Sequence, residues 1–142
     1  MAPKPGDSAI PPPMWFEGDI LVLRVLGQFN VSQMQMLIDM GETLFAQHGY
    51  VLVLGDAAHT TGMHPDARKL HAQHLKHVIR PNHTAIYHVS TALRVLTTLA
   101  QRGIELFTGK VYEVTFHKDE AEARAELARH RAILQRKTLR PG

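Results

Sequence analysis

The sequence predicts a single small α/β domain in which an N-terminal β-hairpin feeds a mixed, largely parallel sheet with packed helices. Three observations carry that expectation. Val51-Leu-Val-Leu54 is a continuous apolar run, the character of a strand buried on both faces. Segments of helical periodicity alternate with short apolar runs, the pattern of successive βα units. The chain has 142 residues, enough for one domain with a real core. The expected element order is ββαβαβαβα.

Each element has its own justification. Residues 1–13 are rich in Pro and Gly and read as a flexible, partly polyproline lead. Met14 to Glu17 reads as a strand, Gly18-Asp19 as a two-residue turn, and Ile20 to Leu26 as the returning strand. Leu21, Leu23 and Val25 fall on one face of it and Arg24 on the other. Gly27 to Val31 is expected to turn, and Ser32 with Gln35 has capping-box spacing. Met34, Leu37, Ile38, Gly41, Leu44, Phe45 and His48 recur at helical spacing, and Gly49 closes that helix. Gly41 weakens a helix, which implies close approach to the sheet.

The central strand follows and ends at Gly55-Asp56. Pro65 and Asp66 suit the first turn of a second helix, which runs to about Ile79 before Pro81. Thr84 to Val89 is the next strand. Ser90 caps a third helix carrying Leu93, Leu96, Leu99 and Ala100, with Gly103 as its stop. Ile104 to Phe107 and Val111 to Phe116 read as extended pieces around a turn at Thr108-Gly109. Asp119 and Glu122 open a last helix to about Leu134. The domain is therefore expected over residues 14–135, with 136–142 as a basic tail.

Composition excludes several classes of function. There is no cysteine, so disulfides, thiolate metal sites and cysteine nucleophiles are ruled out. The apolar runs fall well short of the ~20 residues that span a bilayer, and the first 13 residues lack the apolar core of a signal peptide. A cytoplasmic protein without a membrane partner is expected. The formal net charge is +3, with basic residues gathered at Arg68–Arg80 and Arg124–Arg140. No aromatic residues interleave with them, so no nucleic-acid partner is expected.

The junction of central strand, polar loop and helix start is where open α/β sheets usually build sites. It supplies the candidate ligand- or partner-binding residues Asp56, His59, Thr60, Thr61, Gly62, His64 and Arg68. Backbone N–H groups from Gly62 to Pro65, with the hydroxyls of Thr60 and Thr61, would suit a phosphate or carboxylate. The competing reading is that the threonines merely cap the turn. No spacing matches a catalytic triad, a metal signature or a glycine-rich phosphate loop, so no catalytic residue and no cofactor is expected.

Ten histidines are the compositional oddity. His71, His74 and His77 recur at every third position, which spreads them over about 120° of a helix and keeps them from one ion. Metal-binding pairs usually sit at i and i+4, and no two histidines on one helix have that spacing. No metal site is expected. His71 and His74 share a side with Ala67, Leu75 and Val78, so both are expected inward and mainly neutral at pH 7.

The run Val51-Leu-Val-Leu-Gly-Asp56, followed by Thr61-Gly-Met-His-Pro-Asp-Ala-Arg-Lys69, resembles the SpoIIAA-like branch of the STAS superfamily. So does the closing Phe116-His-Lys-Asp-Glu-Ala-Glu-Ala-Arg-Ala-Glu-Leu127; the resemblance extends from about Trp15 to Leu134. It implies a non-enzymatic regulatory or ligand-sensing module. The anti-sigma-factor antagonists of that branch carry a phosphorylated serine in an Asp-Ser-Ser-Gly motif where the second helix begins. The matching His59-Thr60-Thr61-Gly62 places Thr60 at the phosphoacceptor position, with His59 in place of the aspartate and a shorter preceding loop. The leading expectation is a non-catalytic module that binds a partner protein through Asp56–Pro65 and the adjoining helix face, with a homodimer left open. The alternative is a binder of a small anion or apolar molecule beside that helix.

Overall fold

The apolar run at 51–54 takes the position its composition demands. β4 (Val51–Asp56) is the middle strand of a five-stranded sheet ordered β1-β2-β4-β6-β7 in the computed structural model, which describes residues 13–109 and 113–139. β1 (Met14–Glu17) runs antiparallel to β2 (Ile20–Arg24); β2, β4, β6 (Asn82–Tyr87) and β7 (Val114–His117) are mutually parallel. The expected mixed, largely parallel sheet is therefore present. No helix among the described residues is long and apolar enough to cross a membrane.

Strand alternation divides the core in two. Ile20, Val22, Leu52, Leu54, Ala85 and Tyr87 meet Ala123, Leu127 and Leu134 of α4 (Glu120–Leu139) on one face. On the other, Leu21, Val25, Val51 and Val53 meet Met34 and Leu44 of α1 (Val31–His48) and Ala67 of α2 (Pro65–His77). α3 (Thr91–Thr108) lies beside α2.

The helices are bounded largely as their sequences require. Gly49 ends α1 with φ 83° and sends its N–H to the Phe45 carbonyl. Ser90 caps α3 through the Leu93 N–H, and Asp119 receives the Glu122 N–H at 2.8 Å. A β-carbon on Gly41 would lie 3.8 Å from Val51 Cγ1, so α1 does approach the sheet there, at ordinary contact distance.

Several local expectations are corrected. The capping box of α1 is Asn30 with Gln33, not Ser32 with Gln35: Asn30 Oδ1 accepts from Gln33 N and Gln33 Oε1 from Asn30 N. The helix begins earlier because the preceding residues are extended. β3 (Gly27–Phe29) pairs in parallel with β5 (Thr60–Met63), so two stretches read as turn and loop form a small second sheet. Gly103 does not stop α3, and Ile104 to Phe107 are helical: Ile104 is buried, and the helix ends only at Gly109, with φ 71°. α4 continues past Leu134 to Leu139. The expected lead before Pro13, and residues 110–112 and 140–142, lie outside the described residues.

One polar staple fixes α4. Arg131 donates to both carboxylate oxygens of Asp19, each at 2.6 Å; the Tyr50 hydroxyl donates to the same group at 2.7 Å, and Gln135 donates to Tyr50 at 3.2 Å. The hairpin turn, the start of β4 and the last helix are thereby joined.

Candidate functional site

The candidate residues line up after the C-terminal end of β4, and most are committed to holding the chain. Asp56 accepts from Arg24 Nε at 3.2 Å and from the Ala58 N–H at 3.0 Å, with His88 Nδ1 3.6 Å away. His88 has φ 57°, the left-handed conformation seldom adopted by a non-glycine residue. Half-buried Thr60 lies in β5, and its hydroxyl donates to the Val25 carbonyl at 2.8 Å. His59 is exposed and accepts the Gly27 N–H at its carbonyl; Thr61 is exposed, and Gly62 pairs with Gln28.

The start of α2 is capped from within. His64 Nδ1 accepts the Asp66 N–H at 3.1 Å, and the His64 carbonyl accepts from Ala67 and Arg68. The His64 N–H itself goes to the Phe29 carbonyl at 2.8 Å, and Pro65 has none to give. An anion at this helix end would have to displace the imidazole cap.

Beyond this junction the structure opens a cavity of about 550 Å³ between the sheet, α2 and α3. Its walls are mainly apolar: Val53 and Ile86 from the sheet, Met63 from β5, Leu93, Leu96 and Ile104 from α3. Asp56, Thr60, Gly62 and Arg68 reach it among the predicted residues, so β4, β5 and α2 converge on one space; His59, Thr61 and His64 do not line it. Arg68 contributes a buried Nε that has no hydrogen-bond partner among the described residues. Lys69 and His71 stand on the same wall. Burial first, and the neighbouring His74 second, push the His71 pKa down to about 4, so its ring is neutral at pH 7. His71 is thus inward as expected. His74 is half-buried and lines a smaller hollow under α1 with Glu42 and Arg80.

No protein-family model and no curated protein matches the sequence. Among solved structures, the chain is similar to an uncharacterized protein of the DUF3478 family with a SpoIIAA-like fold from Shewanella loihica PV-4. The identity is 20%, the TM-score 0.54, and the match covers 80% of this chain and 90% of that one. The chain has a SpoIIAA-like fold. A further similarity is to the unphosphorylated anti-sigma factor antagonist SpoIIAA itself, at 12% identity and TM-score 0.47, covering 82% of this chain and 96% of that one.

Within the SpoIIAA-like fold, sequence reasoning missed two features. The cavity was hidden because one of its walls comes from α3, whose apolar positions read simply as core. On the opposite face of the sheet, fully buried His83 stacks on His130 with ring centroids 3.6 Å apart. Burial first, then His130, pushes the His83 pKa to about 4. A histidine at the start of an apolar strand is the one signal the sequence carries for this pair.

Proposed function

We propose that this SpoIIAA-like domain is a non-catalytic ligand-sensing module that holds a small amphipathic anion in the cavity between the sheet, α2 and α3. The observation that carries this reading is the pairing of an apolar cavity with an unpartnered, buried guanidinium donor at its wall. A volume of about 550 Å³ falls in the range of small-molecule sites. Arginine stays charged in any protein environment, and a buried donor without an acceptor is costly. A carboxylate, sulfonate or phosphate at Arg68 would satisfy it, with the ligand's apolar body against Val53, Ile86 and Leu96. Catalysis is disfavoured because Asp56, Thr60 and His64 already bond to Arg24, the Val25 carbonyl and the Asp66 N–H.

The test is a titration with 8-anilinonaphthalene-1-sulfonate, combined with native mass spectrometry of the purified protein. One saturable site is expected, weakened by Arg68→Gln and blocked by Ala100→Phe, which fills the cavity from α3. Equal binding by all three proteins would sink the reading.

A second reading, docking of a protein partner, is supported by exposed apolar residues on α3: Val95, Leu99, Leu106 and Phe107. Together with exposed His59 and Thr61 at the start of β5, these would form the contact surface. Pull-down from the source lysate with wild type and with Val95→Glu/Leu106→Glu separates the two readings, since neither residue lines the cavity and Arg68 stays in place.

A further inference from the structure

Across the sheet from the cavity, β6 and β7 place a row of polar side chains beneath α4. His83 shares the α4 face with Ala85 and Tyr87, and Thr115 and His117 sit beside those two in β7. His83 Nε2 is 2.9 Å from Thr115 Oγ1, that oxygen is 2.8 Å from His117 Nε2, and His117 Nδ1 is 3.2 Å from Glu122 Oε1. An ionised carboxylate only accepts, so in the neutral tautomer that suits Glu122 the His117 proton would sit on Nδ1 and Nε2 would accept from the Thr115 hydroxyl. The Thr115 oxygen in turn accepts from His83 Nε2–H. His83 Nδ1 is left as a bare lone pair, and it is buried without a hydrogen-bond partner among the described residues.

The groups around that lone pair are suited to holding a cation. Glu113 Oε2 lies 3.7 Å from His83 Nδ1, and Glu126 Oε1 lies 3.2 Å from His130 Nε2. One ligand atom each from His83, Glu126 and His130 falls within 4.8 Å of the others. A cationic group already bridges two of them: Arg129 Nη2 donates to Glu126 Oε1 and lies 3.0 Å from His130 Nε2. The Arg129 side chain is 63% exposed, so it can swing away into water.

We propose that His83, Glu126 and His130 form a binding site for a divalent transition-metal ion of the zinc class, with water completing the shell. Imidazole nitrogens and carboxylates are the donors such ions take when thiolates are absent. Bonds of about 2.1 Å in a tetrahedron set donors roughly 3.4 Å apart, which the Glu126–His130 pair already matches at 3.2 Å. Parallel rings aim their lone pairs side by side, so binding turns His130 out of its stack and displaces Arg129. The chain through Thr115 and His117 to Glu122 is the outer shell that fixes the ligating tautomer of His83. Nothing in the spacing of the α2 histidines bears on this site, whose ligands are split between a strand and the last helix.

Titration of the full chain with Co²⁺, read by visible absorption and followed by displacement with Zn²⁺, tests the proposal. One ion per chain is expected. Glu126→Gln and His130→Gln, both at part-buried helix positions, should each weaken binding by more than the roughly 10–100-fold that loss of an outer-shell partner costs. The control His74→Gln/His77→Gln should bind as wild type does, and Arg129→Gln at least as tightly. The proposal is overturned by absence of Co²⁺ binding to wild type, by unchanged binding in Glu126→Gln and His130→Gln, or by loss of binding in Arg129→Gln or in the control.

Discussion

Replacing Arg131 by alanine should cost the folded state about 2–3 kcal/mol, on the scale of hydrogen bonds made to charged groups. Two donors are removed, each 2.6 Å from an Asp19 oxygen. The side chains are 33% and 15% exposed, between a surface pair, worth about 0–1 kcal/mol, and a buried one, whose disruption costs about 3–5 kcal/mol. Asp19 keeps the Tyr50 hydroxyl at 2.7 Å, so it is not wholly stranded. A loss of that size lowers the melting temperature of such a domain by roughly 5–10 °C. Urea unfolding of wild type, Arg131→Ala, Asp19→Asn and the double variant should give a coupling of about 1–2 kcal/mol. A coupling near zero would refute the reasoning. There is also a pH arm. Burial raises the Asp19 pKa, but the Arg131 fork and Tyr50 outweigh it and hold the carboxyl below its ordinary 3.8. A depressed folded pKa means the contribution is complete above the unfolded value and is lost as pH falls through the folded one. Wild type and Arg131→Ala should therefore converge in acid.

Gly41→Ala should stabilise the protein by about 0.5–1 kcal/mol in chemical denaturation, because a methyl group fits at contact distance and helix propensity improves. Gly49→Ala should instead destabilise by about 1–2 kcal/mol, since the residue is held at φ 83°; an unchanged midpoint would mean the helix end relaxes elsewhere. For His71, with a folded pKa lowered from 6.5 to about 4, stability should be full above 6.5, fall as pH drops, and level off below about 4. His71→Gln should flatten that slope in unfolding measured from pH 7.5 to 4, and parallel slopes would show that the ring is not desolvated.

The fold class, the central strand and most helix starts were legible because each rests on a local signal. Val51–Leu54 could only be a buried strand, and Gly49, Pro65, Ser90 and Asp119 mark boundaries by backbone or capping chemistry. The end of α3 was not legible: Gly103 carries the same local signal as Gly109, and the burial of Ile104 is a tertiary fact. β3 and β5 were hidden for a related reason, since a three-residue strand such as Gly27–Phe29 has no period to read. The candidate residues were read from one junction, but their surroundings depend on distant elements. Asp56, Thr60, Gly62 and Arg68 line the cavity, yet what Arg68 faces depends on α3, and His83 meets His130 only once α4 lies across β6.

The staple between Asp19 and Arg131 joins positions 112 residues apart, and α4 is the helix that covers Ile20, Val22, Leu52 and Leu54. During synthesis the first strands therefore leave the ribosome with one apolar face bare, and it stays bare until α4 has been made. Contacts this distant in sequence carry a loop-closure cost before they return any stability, which slows the final step. Over that interval the nascent sheet offers a sticky surface to chaperones and to other chains, and shortening α4 should show first as poor yield from expression and only second as a lower melting temperature.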